Sequence, residues 1–117
     1  MRRDEAALFD IVRFARQVLV FLEDVTLDRF LADKMLQGAV LYQMLIIGEA
    51  SKRLSVAFRT NIRDVPWVKI GNLRNILAHD YDQVDLKRIW GIALGELPAL
   101  IDRLSPLIPA DRPRESK

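Results

Sequence analysis

The chain has 117 residues, 50% of them hydrophobic and 29% charged, with five glycines, five prolines and a formal net charge of +2. A chain of this length builds one compact domain, and its composition excludes extended disorder or a low-complexity linker. The absence of cysteine and the presence of one histidine exclude disulfides, zinc–thiolate sites, iron–sulfur clusters, a cysteine nucleophile and multi-histidine metal centres, and leave His79 as the one imidazole for acid–base chemistry near neutral pH.

Leu8, Ile11, Val12, Ala15, Val18, Leu19 and Leu22 recur at three- and four-residue steps, which predicts a first helix from about Asp4 to Glu23. Thr26 or Asp28 can cap a second start. From Phe30 the residues Leu36, Val40, Met44, Ile47, Ser51, Leu54 and Phe58 keep a helical period with no proline among them. This predicts one long second helix, bent if anywhere at Gly38 or Gly48. Pro66 suits the first residue of a third helix over Trp67 to about Ala78, because its missing N–H costs nothing there. Asp85 can cap a fourth helix that carries Trp90, Ile92, Leu94, Leu97, Leu100, Ile101 and Leu104 and ends before Pro106. Pro98 should kink that helix or split it in two.

No segment alternates apolar and polar residues between turn signals, so the expected fold is all-α, an antiparallel bundle of four to five helices over residues 1–110 with a frayed tail at 111–117. So many apolar residues in so small a bundle point to a second subunit covering some of them, and a helical homodimer is expected. The start Met1-Arg2-Arg3-Asp4-Glu5 has no apolar signal core, and the uncharged run Met35 to Gly48 is too short to cross a bilayer. A soluble, cytoplasmic protein with no membrane partner is the expectation.

Charge is unevenly spread. Lys52, Arg53, Arg59, Arg63, Lys69 and Arg74 face only Asp64 in their stretch, and Asp80, Asp82 and Asp85 follow. Solvated helix faces and caps account for any one of these charges, and the three aspartates lack the glycine and terminal glutamate of a calcium loop. No metal is expected. Trp67, Trp90 and the phenylalanines sit at helical spacing as core residues rather than base-stacking platforms, and Gly71 allows a close helix approach.

The densest polar constellation is Arg74-Asn75-Ile76-Leu77-Ala78-His79-Asp80-Tyr81. Asn75 and His79, four apart, share a helix face, whereas Arg74 and His79 diverge by about 140°. The latter pair can converge only if the helix ends near His79 or a second subunit completes the site. Histidine can take the proton of a ribose 2′-OH and arginine can stabilise charge on the adjacent phosphate, enough for RNA cleavage without metal or cofactor. The plainer alternative is a C-terminal histidine on the helix dipole and a surface arginine. Tyr81 reads equally as a packing residue with its hydroxyl at the surface, and Glu49 as a part-buried acid paired with Arg74 or Lys52.

The run from Arg74 to Tyr81 matches R-x-x-x-x-H-x-Y and resembles the motif of the HepT-like toxins of the HEPN superfamily. Ile47-Gly48-Glu49-Ala50-Ser51-Lys52-Arg53-Leu54 is similar to that family's IGEA-x-K-x-L signature; Val65-Pro66-Trp67 with Ile70, and Ile89-Trp90 with Leu97-Pro98, extend the likeness over nearly the whole chain. The resemblance implies the toxin of a two-gene toxin–antitoxin system, an all-helical homodimer with the motif in a cleft between subunits. It implies Arg74 and His79 as the ribonuclease pair on an RNA substrate, with Asn75 and Glu49 in support. It further implies that an MNT-type nucleotidyltransferase antitoxin transfers AMP from ATP to Tyr81. Such a group would place negative charge and bulk at an RNA cleft. A non-catalytic helical partner and substrate subunit of the nucleotidyltransferase is the other reading.

Overall fold

The computed structural model describes residues 2–109, and no strand occurs among them. Helix α1 spans Arg2–Phe21 and α2 Leu27–Ala32; α3 spans Lys34–Arg53 and α4 Val56–Asn61; α5 spans Trp67–His79. Helix α6 (Leu86–Gly91), a π-helical turn (Ile92–Glu96) and α7 (Leu97–Leu104) form one continuous rod. The all-α expectation is met among the described residues by four long rods and two six-residue helices, α2 and α4. The expected tail at 111–117 lies outside the described residues.

The long second helix does not exist as one piece. Thr26 caps α2 through the Arg29 amide, Asp33 ends α2 and caps α3 through the Leu36 amide, and Ser55 caps α4 through the Phe58 amide. Each of these short polar side chains offers the backbone a hydrogen bond that an uninterrupted helix would not use. The apolar period survives the breaks because Phe30, Val40, Met44, Ile47 and Leu54 all reach the same core.

Other boundaries lie within a residue or two of expectation. Helix α1 stops at Phe21, and Asp24 adopts a positive φ of 61°, a conformation aspartate tolerates, to turn the chain into α2. Pro66 occupies the cap position, one residue before α5. Asp85 caps α6 through the amides of Lys87 and Arg88. Pro98 lies in the first turn of α7, and the division expected there takes the form of the π-helical turn Ile92–Glu96, after which helical backbone continues through Leu97. The proline has no N–H to donate, and just before it the Leu97 amide reaches back five residues to the Ile92 carbonyl. The widened turn absorbs the proline.

The core lies where α1, α3 and the α6–α7 rod meet, around Phe30, Leu8, Ile11, Leu54, Ile89 and Leu104. Trp90 packs against Phe30 with ring centroids 5.6 Å apart. Trp67 sits edge-on to Phe58 and donates its indole N–H to the Ile62 carbonyl. Both tryptophans are thus packing residues, as their spacing implied.

Helices α1 and α3 run antiparallel, joined at one end by polar contacts. Arg53 pairs with Asp10 at 2.7 Å, and the Arg3 guanidinium donates to the Arg53 carbonyl. The buried carboxylate of Asp4 accepts from both the amide and the hydroxyl of Ser55, at 2.7 and 2.8 Å. Burial raises the Asp4 pKa, but the two Ser55 bonds and the charge of Arg3 outweigh it, and the carboxyl lies below its ordinary value of 3.8. Ser55 in turn caps α4, so one carboxylate ties the start of α1 to the turn after α3.

Replacing Asp4 with alanine strands two Ser55 donors and should cost roughly 1–3 kcal/mol, measured as a lower urea midpoint at neutral pH. A carboxylate whose folded pKa is depressed stabilises above its unfolded pKa and loses that contribution as pH falls through its folded pKa. The gap between wild type and Asp4→Ala should therefore close in acid.

Candidate nucleic-acid interface

Helix α5 packs on α3 in antiparallel fashion, and one glycine sets their spacing. A Cβ added at Gly48 would lie 2.4 Å from the Arg74 Cβ and 3.3 Å from its Cα. No side chain fits there, so the α5 backbone at Arg74 lies directly against α3. Gly71 has nothing within 4 Å of an added Cβ, and the close approach expected there is found at Gly48 instead.

This contact brings Arg74 beside Glu49. The Arg74 Nε donates to Glu49 Oε2 at 2.9 Å, and Nη2 lies 2.7 Å from the same oxygen. Nη1 donates to Asn75 Oδ1 at 3.0 Å. The partner of Glu49 is therefore Arg74 rather than Lys52. The arginine side chain is only 19% exposed and its orientation is set on two sides. A guanidinium has five N–H donors, so those not directed at Glu49 and Asn75 stay available. Glu49 and Asn75 serve to position the arginine.

His79 is the last residue of α5 and is exposed. The helix stays regular through it, since the Asp80 amide bonds to the Ile76 carbonyl at 2.8 Å. The end of α5 therefore comes too late to swing the imidazole toward Arg74, and the two side chains leave the axis about 140° apart. No hydrogen bond joins them among the described residues. Asn75 and His79 share one face, as their spacing requires.

Tyr81 opens a 3-10 turn, Tyr81–Gln83, directly after α5. It is 52% exposed, and its hydroxyl lies 3.9 Å from where a Cβ on Gly38 would stand. The hydroxyl end of the side chain thus lies against α3 at Gly38, while about half of the residue is exposed. Arg74 lies over Gly48 and Tyr81 over Gly38, so the stretch carrying Arg74, Asn75, His79 and Tyr81 follows about 15 Å of α3. Among the described residues no three His, Cys, Asp or Glu side chains gather where they could hold a metal ion.

A separate groove of about 530 Å³ opens between α3, α5 and the α6–α7 rod. Its walls include Met44, Ile47, Ile70, Leu73 and Leu100, and none of the motif residues lines it. At its rim Arg103 holds Asp64 through bonds of 2.6 and 3.1 Å, which lowers the Asp64 carboxyl below its ordinary value. The chemistry-bearing groups stand on an open surface outside this cavity. No helix of the described residues is long and apolar enough to cross a membrane.

The all-helical domain carries a fixed arginine, an exposed histidine and an exposed tyrosine along α5 and the turn after it, and comparison with known proteins gives the family. Residues 11–107 match the family model "Ribonuclease HepT-like", and the chain belongs to the HepT-like ribonuclease family. It is 37% identical over 100 residues to "Putative RNase MJ1380" of Methanocaldococcus jannaschii, covering 85% of this chain and 92% of that protein. It is 35% identical over 103 residues to "Putative RNase MJ0127" of the same organism, covering 88% and 85% of the two chains. Over 100 residues it is 31% identical to "Probable ribonuclease HepT" of Thermococcus cleftensis, covering 86% and 91%. No solved structure matches the chain.

The Gly48 contact predicts opposite outcomes for two glycines. Gly48→Ala forces α3 and α5 apart and should destabilise by roughly 1–3 kcal/mol. Gly71→Ala meets nothing and should stabilise by up to about 1 kcal/mol through helix propensity. Urea unfolding of both variants checks the contrast.

Proposed function

We propose that the protein is a metal-independent endoribonuclease that uses His79 as general base and Arg74 as electrostatic stabiliser. The supporting observation is the guanidinium fixed by Glu49 and Asn75 on the helix that ends in an exposed His79, in a member of a ribonuclease family. His79 takes the proton of a ribose 2′-OH, and the 2′-oxygen attacks the adjacent phosphorus. The P–O5′ bond breaks, the 5′-oxygen leaves with a proton from solvent, and a 2′,3′-cyclic phosphate remains. Arg74 donates its free N–H groups to the phosphoryl oxygens as charge builds on them. The scheme needs no metal or cofactor.

Because Arg74 and His79 diverge on one helix, the reading takes the active unit to be a homodimer in which a second copy helps complete the cleft. We further propose the cellular role of a toxin in a HEPN/MNT toxin–antitoxin pair, acting in the cytoplasm. Its antitoxin, a nucleotidyltransferase, joins the Tyr81 hydroxyl to the α-phosphorus of ATP and releases pyrophosphate. The exposure of Tyr81 supports this reading. So placed, an AMP group adds negative charge and bulk beside His79 and repels the RNA backbone. The same two observations, a divergent Arg74–His79 pair and an exposed tyrosine, favour a second reading in which the chain is a non-catalytic partner and substrate subunit of the nucleotidyltransferase.

Purified protein should cleave RNA in EDTA and leave cyclic phosphate ends, and His79→Ala should lose the activity by about 100-fold or more. Full activity in that variant would falsify the assignment of the base. Intact-mass measurement after co-expression with an MNT-type nucleotidyltransferase should show whole AMP increments that vanish in Tyr81→Phe. Increments without RNA cleavage by the unmodified protein would select the second reading.

A further inference from the structure

Nearly all the aromatic side chains of the described residues are buried or half-buried, and the exceptions are Tyr42 and Tyr81. Both stand on one surface. Tyr42 is 56% exposed, on α3. At 100° per residue, Gly38, Tyr42 and Glu49 fall within about 40° of one another around the α3 axis. Gly38 is where the Tyr81 hydroxyl rests, and Glu49 is where Arg74 is held. Tyr42 therefore lies on the exposed face of α3 between the two ends of the motif, about 6 Å along the axis from Gly38 and about 10 Å from Glu49.

We infer that Tyr42 is a stacking platform for a nucleobase of single-stranded RNA, on the face of α3 that also holds the phosphate-handling group Arg74. The inference rests on the ribonuclease reading for its ligand, and on the position and exposure of Tyr42 for its site. Stacking on an aromatic ring tolerates any base, because every base has a π-face. It also suits the surroundings, since Arg74 offers free N–H donors to a phosphate on the same strand. Partial neutralisation of that arginine by Glu49 leaves little Coulombic grip, so binding needs an apolar contribution. The neighbouring Met35, 87% exposed and seven residues before Tyr42, extends the apolar face away from the motif rather than across it.

A fluorescein-labelled RNA hexanucleotide with 2′-O-methyl groups cannot be cleaved, because the attacking hydroxyl is blocked, and its binding can be read by anisotropy beside a matched abasic strand. Wild type should bind the base-bearing strand about tenfold more tightly than the abasic one. In Tyr42→Ala that difference should disappear, and in Tyr42→Phe, which keeps the ring, it should remain. On cleavable RNA, Tyr42→Ala should raise KM with little change in kcat. Equal binding of both strands by wild type, or undiminished discrimination in Tyr42→Ala, overturns the platform. So does a change of oligomeric state in Tyr42→Ala on a sizing column, which would assign this face to a second copy of the chain. Base-dependent binding that requires Tyr42 in a protein that cleaves nothing supports the platform and counts against the ribonuclease. Cleavage that is indifferent to Tyr42 does the reverse.

Discussion

The contact on which the site depends is the one between Gly48 and Arg74. Helices normally meet through side chains, at interaxial distances of 8–10 Å. Here one of them presents bare backbone, and the Arg74 Cβ occupies the space that a Cβ on Gly48 would need. Three consequences follow from that single approach. Glu49, the next residue on α3, comes within reach of the guanidinium; α5 is held antiparallel along α3; and the turn after α5 lays Tyr81 on Gly38. A wider spacing would separate the arginine from its carboxylate and lift the whole motif off its support.

Much of this architecture was legible in the residues. The amphipathic periods of α1 and of the α6–α7 rod, the caps Thr26 and Asp85 and the start of α5 after Pro66 are local signals, and local hydrogen bonding decides them. The division of the second helix was not legible, because Asp33 and Ser55 break the backbone without breaking the apolar period. A 3.6-residue pattern reports which face is buried, not whether the chain between its members is continuous. Gly48 and Gly71 look alike in sequence, and only the packing of α3 on α5 tells them apart. Tyr42 is inconspicuous in sequence for a related reason: it stands in the uncharged run from Met35 to Gly48, where the composition reads as core. The motif marks the arginine, histidine and tyrosine, but their spacing alone leaves their mutual geometry open.

Size and chemistry are separated in this molecule. The 530 Å³ groove exists because α5 packs chiefly on α3 and leaves a gap toward the α6–α7 rod, and its walls carry apolar side chains. Small-molecule sites are concave and enclosing. The motif residues stand instead outside the groove, along α5 and the turn after it, with Tyr81 and His79 exposed and Arg74 largely covered.

The ion pair between Glu49 and Arg74 has a consequence for how an anion would meet this surface. A free arginine side chain carries about 2 kcal/mol of rotamer entropy, which is lost when it is fixed on a ligand. Glu49 and Asn75 impose that loss during folding, so a phosphate meets a guanidinium already preorganised. The same carboxylate turns a lone cation into a local dipole, whose field fades faster with distance than that of a charge. Long-range attraction of an anion would then fall to basic residues other than Arg74, and Arg74 would act only at contact. Attraction and recognition would then belong to different side chains.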